Sequence, residues 1–234
     1  MLSVASSPQT ASLAPALTPA SEPLTFNPLQ MLPIFEPEQQ VCLVRREAQT
    51  AISDYLQLAA RSLAPGLRNV ISLQPALAPQ LRALPLPAQP GREAFIQELA
   101  QLVTVFAELL DCQTVGLRLE VLQKAMCPQF HVDHTGIRLL CTYMGPGTEW
   151  LEEAFADRSY LKHRSHLNPP GLNNQQRAGV VLDARGIRQA DAFDIVLLKG
   201  SQWQGNTVGG AIHRSPVVPE GQTRVVLALD AIRD

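Results

Sequence analysis

Proline distribution divides this chain: thirteen of its nineteen prolines fall before residue 92. Proline fixes φ and removes a backbone donor, so a segment rich in it cannot run long helices or central strands. The first half must therefore be short elements and connections, and a regular sheet has to come later. Residues 1–38 combine Pro with Ser and Ala. Such a composition cannot bury enough apolar surface to offset chain entropy, and it predicts a disordered tail. Val41, Val44, Ala48, Ile52, Tyr55, Leu56 and Ala59 approach helical spacing and predict a helix over 40–63, closed by Pro65-Gly66. From Leu73 to Pro90 the prolines predict an irregular connection.

After Gly91 the period becomes clear. Phe95, Ile96, Leu99, Leu102, Val103, Phe106, Leu109 and Leu110 form one apolar stripe of a helix that ends near Asp111. It is expected to lie across the outside of the following sheet. From Val115 the period falls toward two: Leu117, Leu119 and Val121 alternate with Arg118, Glu120 and Leu122. Further short strands are expected at 130–133, 137–143, 179–182, 194–198 and 224–229. Gly/Pro turns separate them, and 152–177 reads as a polar surface excursion. Short strands joined in this way predict a mainly β domain, a sandwich or barrel, with an N-terminal helical layer. The expected domains are a tail over 1–38, a helical layer with a proline-rich connection over 39–113, and a β domain over 114–234.

Composition narrows the function. The net charge of −2 and the lack of a Lys/Arg run disfavour nucleic acid as a partner. No apolar stretch reaches the roughly 18–20 residues that a membrane span needs. No Lys or Arg precedes Arg45, so neither a secretory nor a mitochondrial leader is legible, and a cytoplasmic protein is expected. Four irregularly spaced cysteines without a C-x-x-C pair predict reduced thiols. There is no nucleophile elbow, phosphate loop or H-E-x-x-H helix.

The residues that can carry chemistry begin with His131-Val132-Asp133. On a strand, positions i and i+2 share a face, so the imidazole and carboxylate converge while Val132 turns away. A third ligand, His213, lies in Gly209-Gly210-Ala211-Ile212-His213-Arg214-Ser215-Pro216. Its glycines would let the backbone approach closely. Two histidines and one carboxylate form the facial triad of non-haem Fe(II) oxygenases. Eleven residues on, Arg224 opens the apolar strand Arg224-Val225-Val226-Leu227-Ala228-Leu229. The order H-x-D, distal His, then a basic residue on the last strand is that of Fe(II)/2-oxoglutarate oxygenases, where a guanidinium binds the cosubstrate's far carboxylate. Arg224, Val226 and Ala228 would face a cavity, and Val225, Leu227 and Leu229 the helical layer.

Met126-Cys127-Pro128-Gln129-Phe130-His131-Val132-Asp133, Arg138-Leu139-Leu140-Cys141-Thr142-Tyr143 and Gly145-Pro146-Gly147-Thr148-Glu149-Trp150-Leu151 are long, specific strings. With Leu197-Leu198-Lys199-Gly200, Trp203-Gln204-Gly205-Asn206 and His213-Arg214-Ser215-Pro216, they resemble a bacterial family, domain-of-unknown-function family 1826, over about residues 92–230. The proline-rich first forty residues lie outside that pattern. The resemblance implies a cupin-like double-stranded β-helix and, through an association with zinc-responsive bacterial genes, keeps zinc in view beside iron.

Two questions stay open on the residues. Cys127 and Cys141 read either as soft thiolate ligands that would favour zinc or as small buried hydrophobes. Arg138, Leu140 and Thr142 share one strand face, which would serve either a substrate or solvent. Glu149, Trp150, Lys199 and Trp203 are candidates for the rim of a cavity, whereas His134, His163 and His166 read as solvated side chains. The expectation is a metal-binding protein with His131, Asp133 and His213 as ligands and Arg224 as cosubstrate anchor. Its cofactors would be Fe(II) and 2-oxoglutarate, and its substrate a small molecule or protein. The alternatives are a non-catalytic zinc-binding protein of metal homeostasis, or a hydrolase or isomerase using zinc as Lewis acid.

Overall fold

A computed structural model describes residues 25–74, 76–164 and 179–232. Nine strands are present there: β1 (Val41–Val44), β2 (Leu67–Ser72), β3 (Thr114–Leu122), β4 (Ile137–Met144), β5 (Glu149–Leu151), β6 (Ile187–Gln189), β7 (Ile195–Lys199), β8 (His213–Arg214) and β9 (Arg224–Ile232). Three α-helices accompany them: α1 (Thr50–Ala59), α2 (Leu77–Arg82) and α3 (Arg92–Leu110). The strands form a six-stranded antiparallel sheet, in the order β1-β7-β4-β9-β3-β2, and a three-stranded antiparallel sheet, β6-β5-β8.

The large sheet has two unlike faces because its strands alternate. Leu117 and Leu119 on β3, Leu139, Cys141 and Tyr143 on β4, and Val225, Leu227 and Leu229 on β9 join one buried core. The helices cover this face: Phe95, Leu99, Leu102 and Phe106 of α3 and Ile52 and Leu56 of α1 are buried in the same core. Each such side chain contributes roughly 1.5–3 kcal/mol on burial, which makes the covered face the main stabilising layer. Gly91 precedes α3 with φ +86, and a Cβ there would lie 2.3 Å from the Ala51 carbonyl oxygen, so glycine lets the helix start against α1.

The first half departs from expectation in three places. The helix foreseen over 40–63 is confined to Thr50–Ala59, because Val41–Val44 instead pairs with Ile195–Leu198 as an edge strand. Tertiary pairing wins there over a local spacing that either structure could satisfy. The proline-rich connection contains α2, which tolerates Pro79 in its first turn, where no intrahelical donor is lost. Finally, the end of the expected tail is ordered. Pro28–Phe35 forms a 3-10 helix capped by Asn27, with Met31 and Ile34 fully buried in the main core. Short 3-10 turns accept proline and bury a few large side chains, which composition alone does not reveal.

In the second half, α3, β3, β4, β7 and β9 lie where the periodicity places them. Around His131 there is a single antiparallel bridge to His213 in place of a strand, and the predicted strand near 180 is likewise one bridge, Ala156 to Val181.

Candidate metal centre

His131 and His213 are held back to back by their own backbones: each peptide N–H donates to the other's carbonyl, at 3.0 and 2.9 Å. That bridge sets the imidazole centroids 4.5 Å apart. Gly210 makes the approach possible. Its φ is +98, and a Cβ would lie 2.5 Å from Val132 Cγ1. Val132 itself turns toward the small cluster of Phe130, Leu151, Val180 and Ile212. Asp133 is anchored through its carbonyl, which accepts from the Ser201 N–H at 2.9 Å.

The three side chains meet. His131 Nε2 lies 3.4 Å from Asp133 Oδ1 and His213 Nε2 3.3 Å from Asp133 Oδ2. One ligand atom from each residue falls within 4.8 Å of the others, and these three are the set that converges among the described residues. The remaining ring nitrogens donate to backbone carbonyls, His131 Nδ1 to Gln129 at 2.9 Å and His213 Nδ1 to Ala211 at 3.1 Å. A proton on each Nδ1 leaves both Nε2 lone pairs directed at an anionic carboxylate. Protons or a cation must stand between such groups, so the donor set fits a divalent metal on chemical grounds. Ligand atoms about 2.1 Å from a metal and roughly 90–110° apart are about 3.0–3.4 Å from each other, which matches the two N···O separations.

Arg138 fixes the carboxylate. Its Nη1 donates to Asp133 Oδ2, while Nε and Nη2 hold both oxygens of Asp230 at 2.7 and 3.0 Å. Burial would raise the Asp133 carboxyl, but when the imidazoles also carry a proton on Nε2 their hydrogen bonds, the His213 charge and the Arg138 charge outweigh it and hold the group far below the usual carboxylate range. Asp230 also accepts from Arg118 Nη2 at 3.2 Å.

A cavity of about 260 Å³ opens on the triad. Its floor is the second face of the large sheet: Arg118, Glu120 and Leu122 of β3, Arg138 and Leu140 of β4, and Arg224, Val226 and Ala228 of β9. The alternation read for β9 therefore holds on both faces. Arg224 is 3% exposed, yet it has no carboxylate within ion-pair distance among the described residues. Its Nε donates to the Pro146 carbonyl at 2.8 Å and Nη2 to the hydroxyls of Thr142 and Thr148 at 3.2 and 3.0 Å. Burial pulls its pKa down to about 10. The shared face of Arg138, Leu140 and Thr142 is thus a cavity wall and an anchor for Arg224.

Other candidates lie elsewhere. Cys141 is enclosed in the core beside Arg46, and burial pushes its thiol up to about 12, the reverse of what a thiolate ligand requires. Cys127 lines the cavity but stands outside the converged set. The four rim candidates do not line the cavity. Lys199 is buried and donates to the Glu36 carbonyl at 2.6 Å, Trp203 packs near Phe35 with centroids 5.9 Å apart, and Trp150 packs on the cluster of Ala190, Val196, Leu198 and Ala211. Glu149 touches the site indirectly by accepting from Arg214 Nε at 2.5 Å. Glycine-flanked tryptophans proved to mark packing against neighbouring segments rather than a ligand mouth. His134 is exposed and bonded to Ser201 and Gln202. His166 and the side chain of His163 lie outside the described residues.

The sequence reading passed over the pairing of Arg138 with Asp133 and Asp230, since no local spacing links 133 to 230. It also missed Thr148 as a partner of Arg224.

The protein-of-unknown-function family DUF1826 matches residues 27–230. The chain belongs to this family. The match starts well before residue 92, in accord with the ordered 3-10 helix at Pro28–Phe35. A search of curated protein sequences finds no significant relative. Among solved structures, the chain is similar to a rice dioxygenase for auxin oxidation at 16% identity and a TM-score of 0.51, covering 87% of this chain and 76% of that one. A Pseudomonas putida prolyl-4-hydroxylase matches at 10% identity and a TM-score of 0.42, over 88% of this chain and 98% of that one. The rice match shows a fold shared with that protein. No helix among the described residues is long and apolar enough to cross a membrane.

Proposed function

We propose that this DUF1826 protein is a non-haem Fe(II)/2-oxoglutarate-dependent oxygenase whose two antiparallel sheets form a cupin-like double-stranded β-helix. His131, Asp133 and His213 would hold the metal, and Arg224 would anchor the far carboxylate of the cosubstrate. The observation that carries the reading is Arg224. Burying a guanidinium is costly unless a counter-charge meets it, and this one lies in the cavity of the triad with only neutral partners. A dicarboxylate with one end at the metal and the other at Arg224 supplies the missing charge.

When bound, Fe(II) and 2-oxoglutarate supply the activation of oxygen. The chain's own residues do the positioning. The backbone bridge fixes the two imidazoles, and the Gln129 and Ala211 carbonyls hold the tautomer that presents Nε2. Arg138 donates to one carboxylate oxygen of Asp133 and would orient the group toward the metal. Thr142 and Thr148 aim the Arg224 fork along the cavity, and small Ala228 and Val226 leave the room between anchor and metal.

Zinc remains compatible with a His/Asp/His set, but no thiolate joins that set to favour it. The test is anaerobic addition of Fe(II) and 2-oxoglutarate, which gives a weak visible charge-transfer band when the keto acid chelates iron. The parent should show the band, and His131→Ala, Asp133→Ala and His213→Ala should each lose tight metal binding with the fold kept. A parent without the band, or alanine variants that bind metal at parental affinity, would refute the reading.

A further inference from the structure

The metal ligands and the Arg224 anchor account for only part of the cavity lining. The rest includes Arg118 on β3 and Arg214 on β8, together with Glu120, Cys127 and Ser215. Four arginines against two carboxylates is an unusual lining, and both carboxylates are already engaged. Asp133 belongs to the metal set and to Arg138. Glu120 is paired with Arg68 at 2.8 Å.

Arg214 follows the metal ligand His213 directly and is held rigidly. Its guanidinium lies 4.3 Å over the Phe130 ring, and its Nε donates to Glu149. Those contacts use one face and one donor. Among the described residues its terminal nitrogens donate to no one, which leaves the planar edge that binds carboxylate or phosphate in a fork. Arg118 is similarly unfinished. Among the described residues its one side-chain hydrogen bond is to Asp230 at 3.2 Å, and Arg138 already holds both oxygens of that carboxylate at shorter range.

Position along the sheet separates Arg118 from the cosubstrate anchor. The register sets Arg118 beside Ala228, and Arg224 stands four residues away along β9. At about 3.3 Å per residue, the stems of Arg118 and Arg224 rise from points roughly 13 Å apart along the strand direction. Arg118 therefore lies toward the end of the cavity where Asp230, Arg138 and Asp133 are linked, and Arg214 enters the cavity from β8 beside His213.

Resting on the oxygenase reading above, we propose that the substrate presented to the metal carries an anionic group, a carboxylate or a phosphate, received by Arg214 and Arg118. The small volume of the cavity, about 260 Å³ including the space for the cosubstrate, admits a small molecule or only the anionic end of a larger one. Excess positive charge in a cleft also raises the local concentration of anions and disfavours cationic competitors.

The experiment uses the full chain loaded with Zn(II) and saturated with 2-oxoglutarate. Benzoate, benzamide and inorganic phosphate are titrated by calorimetry. At least one anion should bind saturably while benzamide does not. Arg118→Gln and Arg214→Gln, on separate strands, should each weaken that binding by about ten-fold or more. Raised salt should weaken it further in the parent. The Fe(II)/2-oxoglutarate band, read in parallel, should survive in both variants.

Benzamide binding as tightly as benzoate, variants that bind anions like the parent, or no anion binding at millimolar concentration would each overturn the proposal. Absence of the band from the parent defeats the oxygenase reading instead. The same titrations without 2-oxoglutarate then still judge the arginines, and anion binding that vanishes in Arg224→Leu but persists in both glutamine variants counts against them.

Discussion

Replacing Arg224 with leucine tests the cosubstrate anchor in a way that separates binding from folding. In the metal-loaded parent the guanidinium can offer a carboxylate two charge-assisted hydrogen bonds, each about 1.5–3 kcal/mol. Even one net bond is worth ten-fold, at about 1.4 kcal/mol per decade, so Arg224→Leu should weaken 2-oxoglutarate at least about ten-fold. Stability without the ligand should move less. Leucine leaves the Thr142 and Thr148 hydroxyls and the Pro146 carbonyl without their donor, at about 1–3 kcal/mol for each group that stays unsatisfied. It also removes a buried charge that no carboxylate compensates, a gain of several kcal/mol by order of magnitude. The two effects oppose each other. The assay is thermal unfolding of zinc-loaded protein with and without 2-oxoglutarate. At a concentration one hundred-fold above its Kd the ligand stabilises the parent by about 2.7 kcal/mol, and at the same concentration a ten-fold weaker variant gains about 1.4 kcal/mol. For a chain of this size the difference is roughly 2–5 °C in Tm. Equal ligand-induced shifts in parent and variant, or none in the parent, would refute the reasoning.

Three further outcomes follow from the same contacts. Arg138→Met should lower metal affinity by about 10–100-fold with helix and sheet content unchanged, because Asp133 loses the group that orients it; competition with a chelator measures this, and parental affinity would remove Arg138 from the site. Ile34→Ala should cost about 2–5 kcal/mol in urea unfolding, since the side chain is fully buried although it lies in the proline-rich segment; a change below about 0.5 kcal/mol would restore the reading of that segment as a tail. Glu98→Gln should destabilise by about 3–5 kcal/mol, because it breaks a buried pair with Arg46 at 2.7 Å and weakens the Tyr143 hydrogen bond; a neutral result would mean that water reaches the pair.

Sequence made the second half of the fold legible because there one period dominates each element. The stripe from Phe95 to Leu110 has one helical solution, and the alternation on β3, β4 and β9 has one sheet solution with a defined face. The first half was harder to read for a physical reason. Val41, Val44 and Ile52 satisfy helical spacing, but hydrogen bonding to β7 claims Val41–Val44, and nothing local announces a partner some 150 residues away. Met31 and Ile34 were hidden by their proline-rich neighbours. The convergence of His131 with Asp133 was legible because H-x-D needs only local geometry, whereas bringing His213 to them relied on chain order. The pairing of Arg138 with Asp230 was not, since it exists only once β4 and β9 are adjacent.

Polar residues that alternate along a strand ordinarily read as a solvent face, and on this chain that inference fails in an informative way. On β9 the inward-alternating series is Arg224, Val226, Ala228, Asp230. A solvated face would tolerate long side chains throughout, but here two small apolar residues separate two charges, and neither Val226 nor Ala228 is exposed. Small residues between charged ones leave volume, and charges at its two ends give that volume direction: Arg224 at one, and Asp230 with Arg138 and Asp133 at the other. The segment bearing β8 lines the same cavity and is joined to His131 through His213. Because that single bridge joins the two histidines, the contact that attaches this segment is the contact that brings both imidazoles to Asp133. Weakening that attachment and weakening the convergence on Asp133 are consequently one perturbation. Gly210→Ala, which would drive a Cβ against Val132 at 2.5 Å and strain a φ of +98, should therefore lower metal affinity without touching a ligand. The large-sheet core of α3, β3, β4 and β9 should stay folded. Hydrogen exchange reads the two together: faster exchange at the His131 and His213 amides with parental protection in β3 and β9 is the expected pattern. Uniform loss of protection would show that the bridge and the core are not separable.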